Sequence, residues 1–275
     1  MSKKKTRVKV ELTRSDVLLV GAAAVGSALA AQVLTTGPLS PFAGLKQQML
    51  TAEVETGHAQ GQYHWGMVID LDRCIGCEYC LRACSATNDV RADRPWNIVV
   101  AERTSTDHPF YFSRPCLHCQ DAPCVEVCPV QATFVREDGI VVMDYDRCIG
   151  CRYCEVACPY DARKFNWEQR SDENPYIPTW GEAEVERRPR GVIEKCTFCI
   201  HRIDEGLAKG LVPGVDREAT PACVNICPVK ARSFGDLKNP ESEIAQLISA
   251  NPVFVLREEL GTEPSVFYIP PKEGL

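Results

Sequence analysis

Residues 144–159 read DYDRCIGCRYCEVACP, so that Cys148, Cys151, Cys154 and Cys158 fall at intervals of three, three and four, with Pro159 closing the run. Residues 70–84, DLDRCIGCEYCLRAC, nearly repeat the pattern and set Cys74, Cys77, Cys80 and Cys84 at the same intervals. Thiols this crowded suit several thiolates converging on one centre better than separate disulfides. The spacing Cys-x2-Cys-x2-Cys-x3-Cys is that of bacterial [4Fe-4S] ligation. A loop with a cysteine every third residue wraps three corners of a cubane, and its amides point toward the sulfurs. The fourth cysteine, read as the start of a helix, faces elsewhere.

The other eight of the sixteen cysteines extend the pattern. Group two, Cys116, Cys119, Cys124 and Cys128 before Pro129, lengthens one gap to four residues. Group four, Cys196, Cys199, Cys223 and Cys227 before Pro228, lengthens the same gap to twenty-three. A disulfide framework belongs mainly to short secreted domains that cannot build a core, and 275 residues do not need one. Structural zinc usually joins two Cys-x2-Cys pairs into one tetrahedron, whereas group three alone brings four cysteines within eleven residues. A structural zinc-binding scaffold is therefore the runner-up from a different class.

Four motifs make two dicluster modules, in which each motif gives three cysteines to one cluster and its last to the other. The flanks suggest the pairing. Between groups two and three, Asp138-Gly139 separates the β-prone runs 132–135 and 140–143, a hairpin signature. The runs 67–69 before group one and 231–234 after group four are left to pair with each other. One cluster is thus expected on Cys74, Cys77, Cys80 and Cys227, and a second on Cys84, Cys196, Cys199 and Cys223. A third is expected on Cys116, Cys119, Cys124 and Cys158, and a fourth on Cys128, Cys148, Cys151 and Cys154. Iron through these sixteen cysteines is the whole metal assignment.

The N-terminus is a different kind of sequence. Residues 1–14 carry a net charge of +5 within a chain of −6, which leaves −11 on the rest and argues against a nucleic-acid partner. Residues 17–34, VLLVGAAAVGSALAAQVL, form an apolar run long enough for a marginal membrane span, and breakers follow at Gly37, Pro38, Pro41 and Gly44. A cleaved signal peptide competes with an uncleaved anchor in contact with lipid. With an anchor, the basic flank keeps the N-terminus inside and puts the cysteine body on the extracytoplasmic face of the cytoplasmic membrane, single-pass.

With these residues in hand, the chain resembles the four-cluster iron-sulfur subunits of membrane-associated molybdoenzymes in the dimethyl sulfoxide reductase superfamily. CPVQATFVREDGIVVMD (128–144), RCIGCRYCEVACPYDARKF (147–165), KCTFCIHRIDEGL (195–207) and LGTEPSVFYIP (260–270) look like the tetrathionate, polysulfide and formate-dependent nitrite reductase branches. The likeness covers about residues 63–270. It implies an electron-transfer subunit without a catalytic site of its own, between a molybdopterin-type catalytic subunit and an integral, quinone-reactive membrane subunit. The alternative that the resemblance leaves open is the iron-sulfur subunit of a membrane hydrogenase or an organohalide-respiration complex, where the same module is reused. Some relatives carry tryptophan at the position of Cys151 and hold a [3Fe-4S] centre; here four cubanes are expected. Residues 13–18, TRSDVL, resemble a twin-arginine export signal whose second arginine has become Ser15.

The expected fold is α+β: two intertwined bacterial-ferredoxin-like dicluster modules with an N-terminal membrane helix. The segments are 1–36, basic start and helix; 37–62, linker; 63–238, the modules, with 113–167 inserted and 63–112 plus 191–238 outside it. Within that span 168–190 is a surface connection able to clasp a partner, and 239–275 a C-terminal helix and extended tail. Asn239 and Pro240 are read as N-cap and first residue of that helix, which runs to about Ala250. His118 and His201 adjoin ligands and are read first as packing or surface side chains, with hydrogen bonding to a cluster as the alternative. Arg163, Lys164, His201 and Arg202 are read first as solvent-facing charges, with partner docking or balance of cluster charge as the alternative.

Overall fold

The computed structural model describes residues 61–272. The basic start, the 17–34 run and all but the end of the 37–62 linker lie outside the described residues. Among the described residues no helix is long and apolar enough to cross a membrane.

The central strand is β1 (Trp65–Asp70), whose WGMVI is buried throughout. A strand covered on both faces reads as a continuous apolar run, and that is its sequence. On one face Met67 and Ile69 pack with Phe234, Val266 and Tyr268; on the other Val68 meets Ile244 and Ile269. Antiparallel to β1 lies β8 (Arg232–Asp236), with Met67 opposite Phe234 and Ile69 opposite Arg232. On the other edge β9 (Val266–Ile269) runs parallel, with Met67 opposite Val266. Strand order is β8-β1-β9, so residues 266–269 of the expected extended tail form the third strand of a sheet.

A hairpin of β2 (Ile98–Arg103) and β3 (Pro109–Arg114) leads from group one to group two. β4 (Thr133–Val135) pairs with β5 (Val141–Met143) across Asp138-Gly139, Gly139 taking φ +82° to close the turn. Two-residue strands β6 (Lys164–Phe165) and β7 (Ile193–Glu194) then tie the end of group three to the start of group four.

The helices depart from expectation in an informative way. It is the third cysteine of groups one to three that lies within the first two residues of a helix: α1 (Tyr79–Thr87), α2 (Pro123–Glu126) and α3 (Tyr153–Ala157). In group four α4 (Ile200–Ala208) follows the second cysteine, and α5 (Ala222–Asn225) carries the third, Cys223. The fourth cysteine stands at or just past the end of its helix wherever proline follows it. Proline expels the preceding residue from helical geometry, and Cys158 accordingly takes φ −75°, ψ 112° before Pro159. Group one has Ser85 in that place, so α1 continues and buries Cys84 within it.

Residues 168–190 are folded onto the chain's own α1 rather than held out as an arm. Asn174 Nδ2 donates to the Ser85 carbonyl at 2.8 Å, and the Glu184 amide donates to that of Thr87 at 2.9 Å. Arg187 and Arg170 pair with Asp89 at 2.7 and 3.4 Å. The C-terminal helix α6 (Glu243–Ala250) starts later than Asn239 suggests. Asn239 Oδ1 accepts from the Glu241 amide at 3.0 Å, forming a turn, and Ser242 caps the helix by accepting from the Ala245 amide at 3.3 Å.

Candidate iron-sulfur sites

All sixteen cysteines are free thiols. The loops that carry them are bent by left-handed residues at matching places: Gly76 and Glu78 in group one, Gly150 and Arg152 in group three, His118 in group two, Phe198 in group four. Alternating hands of backbone turn successive amides into one concavity, an anion-binding nest. Amides also donate to thiols after the fourth cysteine: Ala132 N–H to Cys128 Sγ and Ala231 N–H to Cys227 Sγ, both at 3.2 Å.

One cavity is walled by Cys74, Cys77, Cys80 and Cys227, with Val99 and Ser113 of the β2–β3 hairpin and Arg232 closing it. Another is walled by Cys116, Cys119, Cys124 and Cys158, with Tyr160 and Arg163. Cys84 is buried among Cys196, Cys199 and Cys223: burial drives its thiol well above its ordinary range, and the charges of those three add to the rise. Asn88 Nδ2 reaches Cys199 Sγ at 3.5 Å and Cys84 Sγ at 3.9 Å, tying the two together across the fold. Cys154 is pushed up to about 11 by burial, with Cys124 and Cys148 adding to the rise. Cys128, Cys148 and Cys151 are half-buried.

The chemistry of this donor set fits iron-sulfur clusters. Cys223 is pushed up to about 12, chiefly by burial, and Cys199 raises it further. Thiolates gathered in this way need a polycationic core to neutralise them. A single zinc ion would draw four sulfurs to about 2.3 Å from one point. Among the described residues no group of three or more His, Cys, Asp or Glu is gathered so as to hold one ion. Eight of the thiols stand instead around two cavities.

Basic and aromatic neighbours complete the sites. Arg163, read first as solvent-facing, is 1% exposed, and its Nη2 donates to Cys124 Sγ at 2.9 Å. Arg232 is buried and donates to Cys223 Sγ at 3.6 Å. Its signal was visible in the sequence, since CPYDAR and CPVKAR place both arginines five residues after a cysteine. His118 is buried, stacks on Phe198 with ring centres 3.7 Å apart, and accepts from the Val141 amide through Nδ1 at 3.1 Å. Lys195, also buried, donates to the carbonyls of Val141 and Cys196. His201 and Arg202 both bind Glu184, holding its carboxylate down at about 2 against the opposing effect of burial. Lys164 pairs with Asp161 at 2.6 Å.

Comparison with known proteins agrees with this chemistry. A family described as a 4Fe-4S dicluster domain matches residues 67–132 and 147–231, and a second family of the same description matches 107–174. An iron-sulfur subunit of dimethyl sulfoxide reductase from Halobacterium salinarum is 44% identical over 222 residues, 75% of this chain and 79% of the relative. The iron-sulfur cluster-binding subunit of menaquinone reductase from Nitratidesulfovibrio vulgaris is 42% identical, over 76% of this chain and 89% of the relative. A subunit of tetrathionate reductase from Salmonella typhimurium is 38% identical, over 86% and 84%. With two dicluster domains and sixteen cysteines for four [4Fe-4S] clusters, the chain belongs to the family of electron-transferring iron-sulfur subunits of dimethyl sulfoxide reductase-type complexes.

Proposed function

We propose that the four clusters are held by crossed ligand sets: Cys74, Cys77, Cys80 and Cys227; Cys84, Cys196, Cys199 and Cys223; Cys116, Cys119, Cys124 and Cys158; Cys128, Cys148, Cys151 and Cys154. The observation that carries this reading is the cavity shared by Cys74, Cys77, Cys80 and the distant Cys227. The pairing of β1 with β8 supports an outer module built from groups one and four, and the β4–β5 hairpin supports an inner module from groups two and three. When bound, the clusters supply one-electron redox chemistry. The chain's own part is to hold them by thiolate, to aim amides and cations at the sulfurs, and to exclude water from the set of Cys84, Cys196, Cys199 and Cys223.

The sets differ in exposure. Every cysteine of the second set is buried, while all of the first and three of the fourth are half-buried. Large apolar side chains crowd those open sets: Ile75 beside Cys74, and Ile149, Tyr153 and Val156 around group three, with Val156 86% exposed. These two faces are where partners exchange electrons with this chain, a catalytic subunit of molybdopterin type at one and an integral membrane subunit at the other. The relatives' names, which make each of them one subunit of a reductase, support such a complex. No catalytic group of its own is assigned. Residues 17–34 anchor the chain, with the body on the extracytoplasmic face.

Mild detergent extraction followed by identification of co-purifying chains tests this. A large molybdopterin-binding chain and a polytopic membrane chain are expected. A brown protein that purifies alone from intact membranes would overturn the subunit arrangement while leaving the clusters in place.

A further inference from the structure

Arg163 and Arg232 occupy equivalent places, each five residues after the last cysteine of a motif and each hydrogen-bonded to sulfurs of its own module and to a neighbouring hydroxyl. Arg163 donates through Nη2 to Cys124 Sγ and to Thr133 Oγ1, and through Nη1 to Met143 Sδ. Arg232 donates through Nη1 to Cys223 Sγ and Met67 Sδ, and through Nη2 to Asn97 Oδ1 and Ser113 Oγ. The same triple of cysteine, methionine and hydroxyl thus surrounds both guanidiniums.

Each also faces a second set. Arg232 touches Cys223 of one set yet lines the cavity of Cys74, Cys77, Cys80 and Cys227. Arg163 touches Cys124 and lines the cavity of Cys116, Cys119, Cys124 and Cys158, and its charge opposes the burial-driven rise of the Cys154 thiol in the next set. Neither arginine forms an ion pair with a carboxylate among the described residues, although both are buried. A buried, permanently charged group without a carboxylate is costly unless other anions surround it. Here cysteine sulfurs stand in the place of those anions.

We propose that Arg163 and Arg232 are potential-setting residues, each a fixed positive charge shared between the two clusters of one module, so that it raises both their reduction potentials together. The inference rests on the ligand sets proposed above. Reduction makes a cluster more negative. A cation held in a low-dielectric interior stabilises that form, so its removal lowers the potential. Because one guanidinium lies against two sets, the effect is largest on that pair of clusters and falls off with distance toward the other module.

Redox titration of the full chain, followed by electron paramagnetic resonance, tests this. Cys77→Ser, Cys196→Ser, Cys119→Ser and Cys154→Ser mark the four signals without using any crossed cysteine. Arg232→Gln is expected to shift the signals marked by Cys77 and Cys196 to lower potential and to move the other two less. Arg163→Gln is expected to do the converse, and Arg→Lys at either position should restore most of the shift. If a glutamine variant fails to retain iron, Asn97→Asp provides the second arm. It sets a carboxylate of nearly the same shape 2.8 Å from Arg232 Nη2 and should lower the same two potentials. A shift confined to one cluster, an equal shift of all four, or no shift in iron-replete Gln or Asp variants would overturn the proposal. Failure of the ligand sets is read separately, from Cys84→Ser and Cys227→Ser.

Discussion

Cys80 and Cys84 lie one turn apart on α1, a rise of about 6 Å, yet they face different sets of thiols. Helix α1 is therefore a partition, with Cys80 toward the cavity shared with Cys227 and Cys84 toward Cys196, Cys199 and Cys223. Cys84→Ser is expected to perturb the same paramagnetic signal as Cys196→Ser, and Cys227→Ser the same signal as Cys77→Ser. If Cys84→Ser and Cys77→Ser strike one signal while Cys196→Ser strikes another, the crossed ligation fails. At Gly150 the backbone takes φ +66°, and a Cβ there would stand 2.1 Å from the Gly191 carbonyl oxygen. A left-handed conformation alone costs an L-residue about 1–2 kcal/mol, and the clash adds to it. Gly150→Ala should thus lose iron from the set containing Cys148 and Cys151; a full iron complement and an unchanged Tm would refute this.

Among the elements, α6 and β9 show how the C-terminal stretch is fastened to the rest. Ser242 Oγ accepts from Ala245 and donates to the Asp236 carbonyl at 2.7 Å, so it ties the helix start to the end of β8. Ser242→Ala is expected to cost about 1 kcal/mol, read as a lowered midpoint in anaerobic denaturation. On β9, Tyr268 is fully buried and stacks on Phe112 and Phe254 at 4.7 and 5.5 Å. Its hydroxyl has no hydrogen-bond partner among the described residues, so the ring does the stabilising while the oxygen is buried at a cost. Tyr268→Phe should hold or raise Tm. A fall of several degrees would mean that the hydroxyl has a stabilising role.

For the whole molecule, the contrast is between an apolar N-terminal run and a cysteine body whose core is continuous from Trp65 of β1 through Ile140 to Tyr268 of β9. If residues 17–34 alone hold the chain at the membrane, deleting residues 1–36 should release a soluble brown protein carrying about sixteen irons. Retention of that truncated protein in membranes free of its partners would refute the anchor. Protease added to intact spheroplasts should digest the body, and complete protection until lysis would assign it to the cytoplasm.

Ligand chemistry was legible from residue spacing, because cubane ligation makes local demands: thiols three residues apart and small or left-handed residues between them, with proline after the fourth in three of the four groups. The turn at Asp138-Gly139 was legible for the same reason. Helix ends were less so, since Cys84 and Cys158 have the same upstream spacing and differ in whether Ser85 or Pro159 follows, so that one lies inside its helix and the other just past it. Tertiary structure alone decided where the long-range partners went. β9 joins β1 by parallel pairing across nearly two hundred residues, and no local pattern announces such a partner. Residues 168–190, polar and rich in proline, fold back because Asp89, Ser85 and Thr87 on and after α1 present the complementary groups. Arg163 reads first as a surface charge, and in sequence only the shared five-residue offset from Cys158 and Cys227 sets it and Arg232 apart from other arginines. They are buried because the fold surrounds each with sulfurs, which supply the compensation that burial of a cation requires.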